Sequence, residues 1–111
     1  MRWFIGILML ATATFADVKD DVQTTIASQL DAFLQDDFER AFEYASPSIR
    51  RLFRNSDNFG MMVQRGYPMV WRPAQSLFLD FTQDQRGPYQ LVEITASTGR
   101  VHTLRYDMID T

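Results

Sequence analysis

A chain of 111 residues that is 46% hydrophobic and 23% charged is long enough for one small globular domain and is unlike a disordered segment. With no cysteine and a single histidine, it has no means of forming disulfides, thiolate nucleophiles or Cys/His zinc and iron–sulfur centres. Its net charge of −3 is a poor match to nucleic acid, which favours a basic surface.

The first residues read as a leader. Met1-Arg2 gives a positive start, and Trp3 to Phe15 carries no charge. Thr14 and Ala16 put small residues at the two positions a signal peptidase reads, and Asp17 opens an acidic stretch. This pattern predicts a signal peptide over residues 1–16, cleaved after Ala16, and an exported single domain over residues 17–111. The competing reading is a membrane anchor, but the apolar run is well short of the roughly 20 residues that a span needs. No stable membrane anchor is therefore expected after cleavage. Charge divides unevenly over the rest. Residues 17–45 hold eight acids against Lys19 and Arg40, whereas residues 46–111 hold eight arginines against six acids. The simplest account is that the acids cover solvent-facing helix surfaces.

Val22, Ile26, Leu30, Phe33 and Leu34 recur at steps of three and four, predicting a helix from Val18 to about Gln35. Asp20, Asp21, Gln23, Gln29, Asp31 and Gln35 largely fall on its polar face. Asp36-Asp37-Phe38-Glu39 opens a second helix, whose apolar side is Phe38, Ala41, Phe42 and Ala45. Ser46-Pro47 starts a third, because serine caps and proline fits the first turn; Ile49, Leu52 and Phe53 follow. Ser56 is the expected cap of a fourth, bearing Phe59, Met62 and Val63 and ending at Gly66 in a left-handed C-cap.

The period changes beyond Gly66. Gln75–Thr82 and Tyr89–Ala96 read as strands around a glycine–proline turn at residues 83–88. After a second turn at Ser97–Arg100, Val101–Ile109 alternates, with His102, Leu104, Tyr106 and Met108 on one side. Helices first and an antiparallel meander after predict an α+β fold, the helices packed on one face of a curved sheet. Between the two halves lies RGYPMVWRP, residues 65–73. Pro68 and Pro73 push Tyr67 and Arg72 toward extended backbone. The stretch reads either as a rigid aromatic elbow or as a pocket mouth lined by Trp71 and Arg72.

Several segments in this order resemble a known bacterial family, domain of unknown function 4864. They are Gln29 to Phe33, Asp36-Asp37, Ala41-Phe42, Ala45-Ser46-Pro47-Ser48-Ile49, Phe53, Phe59, Met62-Val63, Arg65-Gly66-Tyr67 and Arg72-Pro73. The most specific are the ASPSI segment and the RGY…RP segment. The resemblance spans about residues 22–108. It implies a short exported, periplasmic protein of a Gram-negative bacterium, with an element order similar to the nuclear transport factor two-like cone. It supplies no activity and no catalytic residues. The family pattern continues into another strand, whereas this chain stops at residues 107–111. The resemblance thus implies a missing last strand and an unpaired sheet edge, open to pairing with a partner or a second copy.

No glycine-rich phosphate loop, nucleophile elbow or paired metal carboxylates occur, so no catalytic residue, metal site or cofactor is read from the sequence. Arg50, Arg51 and Arg54 form a basic cluster, read as a solvated face or as a grip for an anion. Met61, Met62 and Met69 read as core filler. The candidate ligand-binding residues are Tyr67, Trp71, Arg72, His102 and Tyr106. Three functions compete. The first is a non-enzymatic module that binds a small molecule or protein partner in a cavity between helices and sheet. The second is a small hydratase or isomerase using His102 with a nearby carboxylate. The third is an interaction module pairing through its edge strand, including as a homodimer.

Overall fold

Buried side chains at the expected helical spacing set the first element. The structure, a computed structural model, describes residues 15–108. Within it, α1 runs Phe15–Leu34 and buries Val22, Ile26, Leu30 and Phe33. Residues 1–14 of the expected signal peptide lie outside the described residues, as does Ile109 of the expected last strand. Among the described residues no helix is long and apolar enough to cross a membrane.

Local capping chemistry divides the next thirty residues. Asp36 takes a positive φ of 57° and turns the chain. Asp37 then caps α2, Phe38–Glu43, by accepting from the Arg40 amide. Ser46 caps α3, Pro47–Phe53, by accepting from the Ile49 amide, with Pro47 in the first turn. Asn55, rather than Ser56, caps α4, Ser56–Gly66, through the Asn58 amide. Gly66 is the last helical residue and has no positive φ; Tyr67 forms the C-cap instead. The elbow is also more helical than expected. Pro68–Trp71 forms a single turn, α5, since proline suits a first turn and nothing in Met69-Val70-Trp71 opposes it. Tyr67 and Arg72, each preceding a proline, do stay out of the helical region.

Three strands follow: β1 Pro73–Asp84, β2 Gly87–Ala96 and β3 Val101–Asp107. They pair antiparallel in the order β1-β2-β3, as an open sheet. The first connection is a tight turn at Gln85-Arg86, closed by Asp84 opposite Gly87, whose φ is +115°. In β1 the register shifts between Phe78 and Phe81, forming a bulge. The fully buried Gln90 satisfies it: its amide nitrogen donates to the carbonyls of Leu79, Asp80 and Leu91, and its oxygen accepts from Gln23.

The α+β arrangement is thus as expected. Val92 and Ile94 on the central strand join Val22, Ile26, Phe33, Ala41, Phe59 and Val70 in one core. Helix α5 packs on β1 and β2, α1 packs against α2 and α5, and α2 and α3 pack on α4. Two positions assigned to apolar faces lie outside this core: Leu34 is 49% and Leu52 69% exposed. Helix α3 contributes no buried residue, because it rests mainly on α4 and shows its far side to water.

Candidate functional site

The inner side of β2 is filled, Val92 and Ile94 being buried in the core. The cavity lies to one side. It has a volume of about 630 Å³ and is bounded by the end of α1, by α3 and α4, and by β3. Its β3 wall consists of five consecutive residues, Thr103 to Asp107, and no residue of β1 or β2 contributes. A cavity above the sheet face would be lined by alternate residues of neighbouring strands, because side chains alternate between faces. Five in a row from the outermost strand place this cavity beyond the free edge of β3. The cavity thus lies between the helices and the outermost strand, at the margin of the sheet.

The wall is mostly apolar, with Phe33, Ile49, Phe59, Met62, Val63 and Leu104 as its larger members. Phe59 sits among other rings, 5.2 Å from Phe42 and 5.9 Å from Phe33 between centroids. Polar groups are few. Ser46 is occupied as the α3 cap and shares a 3.1 Å hydrogen bond with Ser48. Gln29 is only 6% exposed; its amide nitrogen donates to the Ala41 carbonyl at 3.0 Å, while Oε1 accepts no hydrogen bond among the described residues. Tyr106, partly exposed where it lines the cavity, likewise has no hydrogen-bond partner for its hydroxyl among the described residues. Burial raises the pKa of this phenol well above the ordinary tyrosine value, so it stays protonated and available as a donor.

Charge is kept off the cavity. The Arg105 side chain crosses the outer face of the sheet, donating to Asp84 at 2.6 Å and to Asp107 at 2.8 Å. Its guanidinium stacks 3.7 Å above the Tyr89 ring. These carboxylates favour the charged form of Arg105, and Arg105 in turn lowers the pKa of Asp84, helped by the Arg86 amide. One cation and two carboxylates are thereby held together on the far side of the sheet, with one negative charge in excess.

The five candidate residues divide between three places. Tyr67 and Tyr106 line the cavity. Trp71 and Arg72 meet elsewhere, at Asp36: the indole N–H donates to Asp36 Oδ1 at 2.9 Å and the guanidinium donates to it at 2.7 Å. Arg72 also donates to the Phe33 carbonyl at 2.7 Å and lies 4.5 Å from the Trp71 ring centre. These bonds clamp the α1–α2 turn to the start of β1, which is the work of an elbow. They also lower the Asp36 pKa, Trp71 contributing most and Arg72 next. His102 faces the inner side of the sheet opposite Ile94, apart from the cavity, and no hydrogen bond or ion pair reaches it among the described residues. The Arg50, Arg51 and Arg54 side chains are exposed and form no ion pair among the described residues. Among those residues no group of acids and His102 could hold a metal ion.

Fold and site together define a small α+β domain with an apolar trough at the open edge of its sheet. The chain belongs to the family described as Domain of unknown function (DUF4864), whose model matches residues 16–111. No curated protein and no solved structure matches the chain. The ASPSI segment, prominent in the resemblance, supplies Ala45, Ser46, Ser48 and Ile49 to the cavity. Its role as a wall was not legible beside its role as a helix start. Gln29, expected on the polar face of the first helix, is buried instead: it lies three residues after Ile26 and four before Phe33, on the apolar side of α1.

Proposed function

We propose that this domain is a non-enzymatic binding module, and that the trough between β3 and helices α3 and α4 receives an uncharged, largely apolar ligand. The observation that carries the reading is a pair of polar atoms without a partner among the described residues, Gln29 Oε1 and the Tyr106 hydroxyl, on residues that line a mostly apolar cavity of about 630 Å³. That volume is within the usual range for ligand sites, and a few placed polar groups in an apolar wall are their usual chemistry. Leaving such groups unsatisfied costs free energy, so a ligand that supplies a donor to Gln29 and an acceptor to Tyr106 gains what folding alone leaves unused. The leader-like residues 1–16 support an exported, periplasmic setting for this binding. An enzyme using His102 is less well supported, because that side chain stands outside the trough with no carboxylate bonded to it.

The test is a screen of uncharged aromatic amides and phenols, read by backbone amide chemical shifts. Perturbations gathered at Gln29, Ile49, Phe59 and Tyr106 are expected, and Ile49→Trp, which fills the trough, should weaken them. No binding at all, or shifts confined to the outer sheet face, would contradict the reading.

A further inference from the structure

Two hydrogen bonds fix which way the backbone of β3 points. The Ala96 amide donates to the Arg100 carbonyl at 2.7 Å, and the Met108 amide donates to the Pro88 carbonyl at 3.1 Å. Both belong to the register that pairs Ile94 with His102, Val92 with Leu104 and Gln90 with Tyr106. In an antiparallel ladder, hydrogen-bonded and non-hydrogen-bonded pairs alternate. His102, Leu104 and Tyr106 therefore turn their amides and carbonyls toward β2. Val101, Thr103, Arg105 and Asp107 turn theirs to the edge that no strand pairs with among the described residues.

This alternation explains a feature of the cavity wall. The Thr103, Arg105 and Asp107 side chains lie on the outer face of the sheet, where Arg105 pairs with both Asp84 and Asp107. All three residues nevertheless line the trough, at the positions whose amides and carbonyls the register turns away from β2. Leu104 and Tyr106, between them, line it too, and both pack against the core. The wall is thus a row of amide N–H and carbonyl groups about 13 Å long, at the strand rise per residue, alternating with apolar side chains. Arg105 is occupied by Asp84 and Asp107 on the outer face, so no cation of β3 is left to favour an anionic occupant.

We infer that the trough is a seat for an extended peptide segment of another protein, which adds as a fourth strand beside β3. This rests on the binding reading above and names its partner class: an uncharged stretch of about five residues, alternating apolar side chains with small or polar ones. Its backbone pairs with Thr103, Arg105 and Asp107, and its apolar side chains enter the pocket formed by Ile49, Phe59 and Tyr106. Addition of a strand at a sheet edge draws affinity from main-chain bonds and specificity from pockets for alternate side chains, and both components are present here. A small molecule would leave the row of backbone groups to water.

The probe is a nine-residue peptide, selected from a random displayed library on the intact protein, then made synthetically with blocked ends. Thr103→Pro removes a single edge-facing amide. Proline is tolerated where a strand's N–H faces away from the sheet, and the extended backbone it imposes on His102 is already present. The Thr103→Pro protein should therefore fold yet bind the peptide about tenfold or more weakly, as loss of a main-chain bond implies. Thr103→Val should bind as the parent does. N-methylation of alternate peptide amides should abolish binding in one register and spare it in the other. Equal affinity of Thr103→Pro and parent, or indifference to N-methylation in both registers, overturns the inference. So does concentration-dependent dimerisation that excludes the peptide, which would make a second copy the occupant. If the fragments used in the screen bind the trough while Thr103→Pro is silent, only the peptide inference falls. If neither fragments nor peptides bind there, the binding reading falls with it.

Discussion

Tyr106 brings a hydroxyl into an apolar trough without giving it a partner among the described residues, and that carries a cost in the free protein. Removing the hydroxyl removes the cost. Tyr106→Phe is expected to leave stability unchanged or raise it by up to about 1 kcal/mol in urea unfolding, whereas an ordinary hydrogen-bonded tyrosine would lose about that much. Its pH dependence is distinctive as well. Burial raises the folded-state pKa above the ordinary 10.0, so the neutral phenol's contribution is complete below pH 10.0 and is lost as pH climbs through the raised value. The parent should lose stability on that alkaline limb faster than Tyr106→Phe does. Identical limbs would place the phenol in water. At the other end of the molecule, Asp36 shows how a residue's apparent purpose depends on its neighbours. Trp71 and Arg72 read either as elbow or as pocket residues, and both bond Asp36, as an elbow requires.

Elements built by local chemistry were the most legible. Ser46-Pro47 announces a helix start because a serine oxygen and a missing proline amide each solve a terminus problem without distant help. The alternation in β3 likewise predicts which side chains turn inward, and Leu104, Tyr106 and Met108 do. Tertiary facts were less legible. Spacing puts Leu52 and Leu34 on an apolar face but cannot say that no neighbour covers that part of it. Gln23 and Gln90 look like solvent-facing residues, yet they bond each other because the β1 bulge leaves carbonyls that only a buried amide can reach. The trough itself was half-visible: an unpaired edge was expected, but its meeting with the ASPSI segment depends on how α3 is carried by α4. The packing of α4 against α2 is testable at Gly60. A side chain there would press within 2.9 Å of the Phe38 ring, which packs over the α4 backbone. Although alanine favours helix by about 1 kcal/mol, overpacking costs roughly 1–3 kcal/mol. Gly60→Ala should thus be neutral to destabilising by up to about 2 kcal/mol in denaturant unfolding; clear stabilisation would mean that α2 and α4 are not so closely packed.

At the scale of the whole molecule, one core holds the helices to β1 and β2, while β3 extends past the cover they provide. The stable part and the receptive part of the fold are therefore side by side, with β3 anchored along one edge and free along the other. Amide hydrogen exchange residue by residue along β3 tests this most directly. The amides of Leu104 and Tyr106, bonded to β2, should exchange slowly, while those of Thr103, Arg105 and Asp107 exchange fast and become protected only when the selected peptide is added. Uniform protection of all five in the free protein would show an edge already covered, and would contradict a trough waiting for a strand.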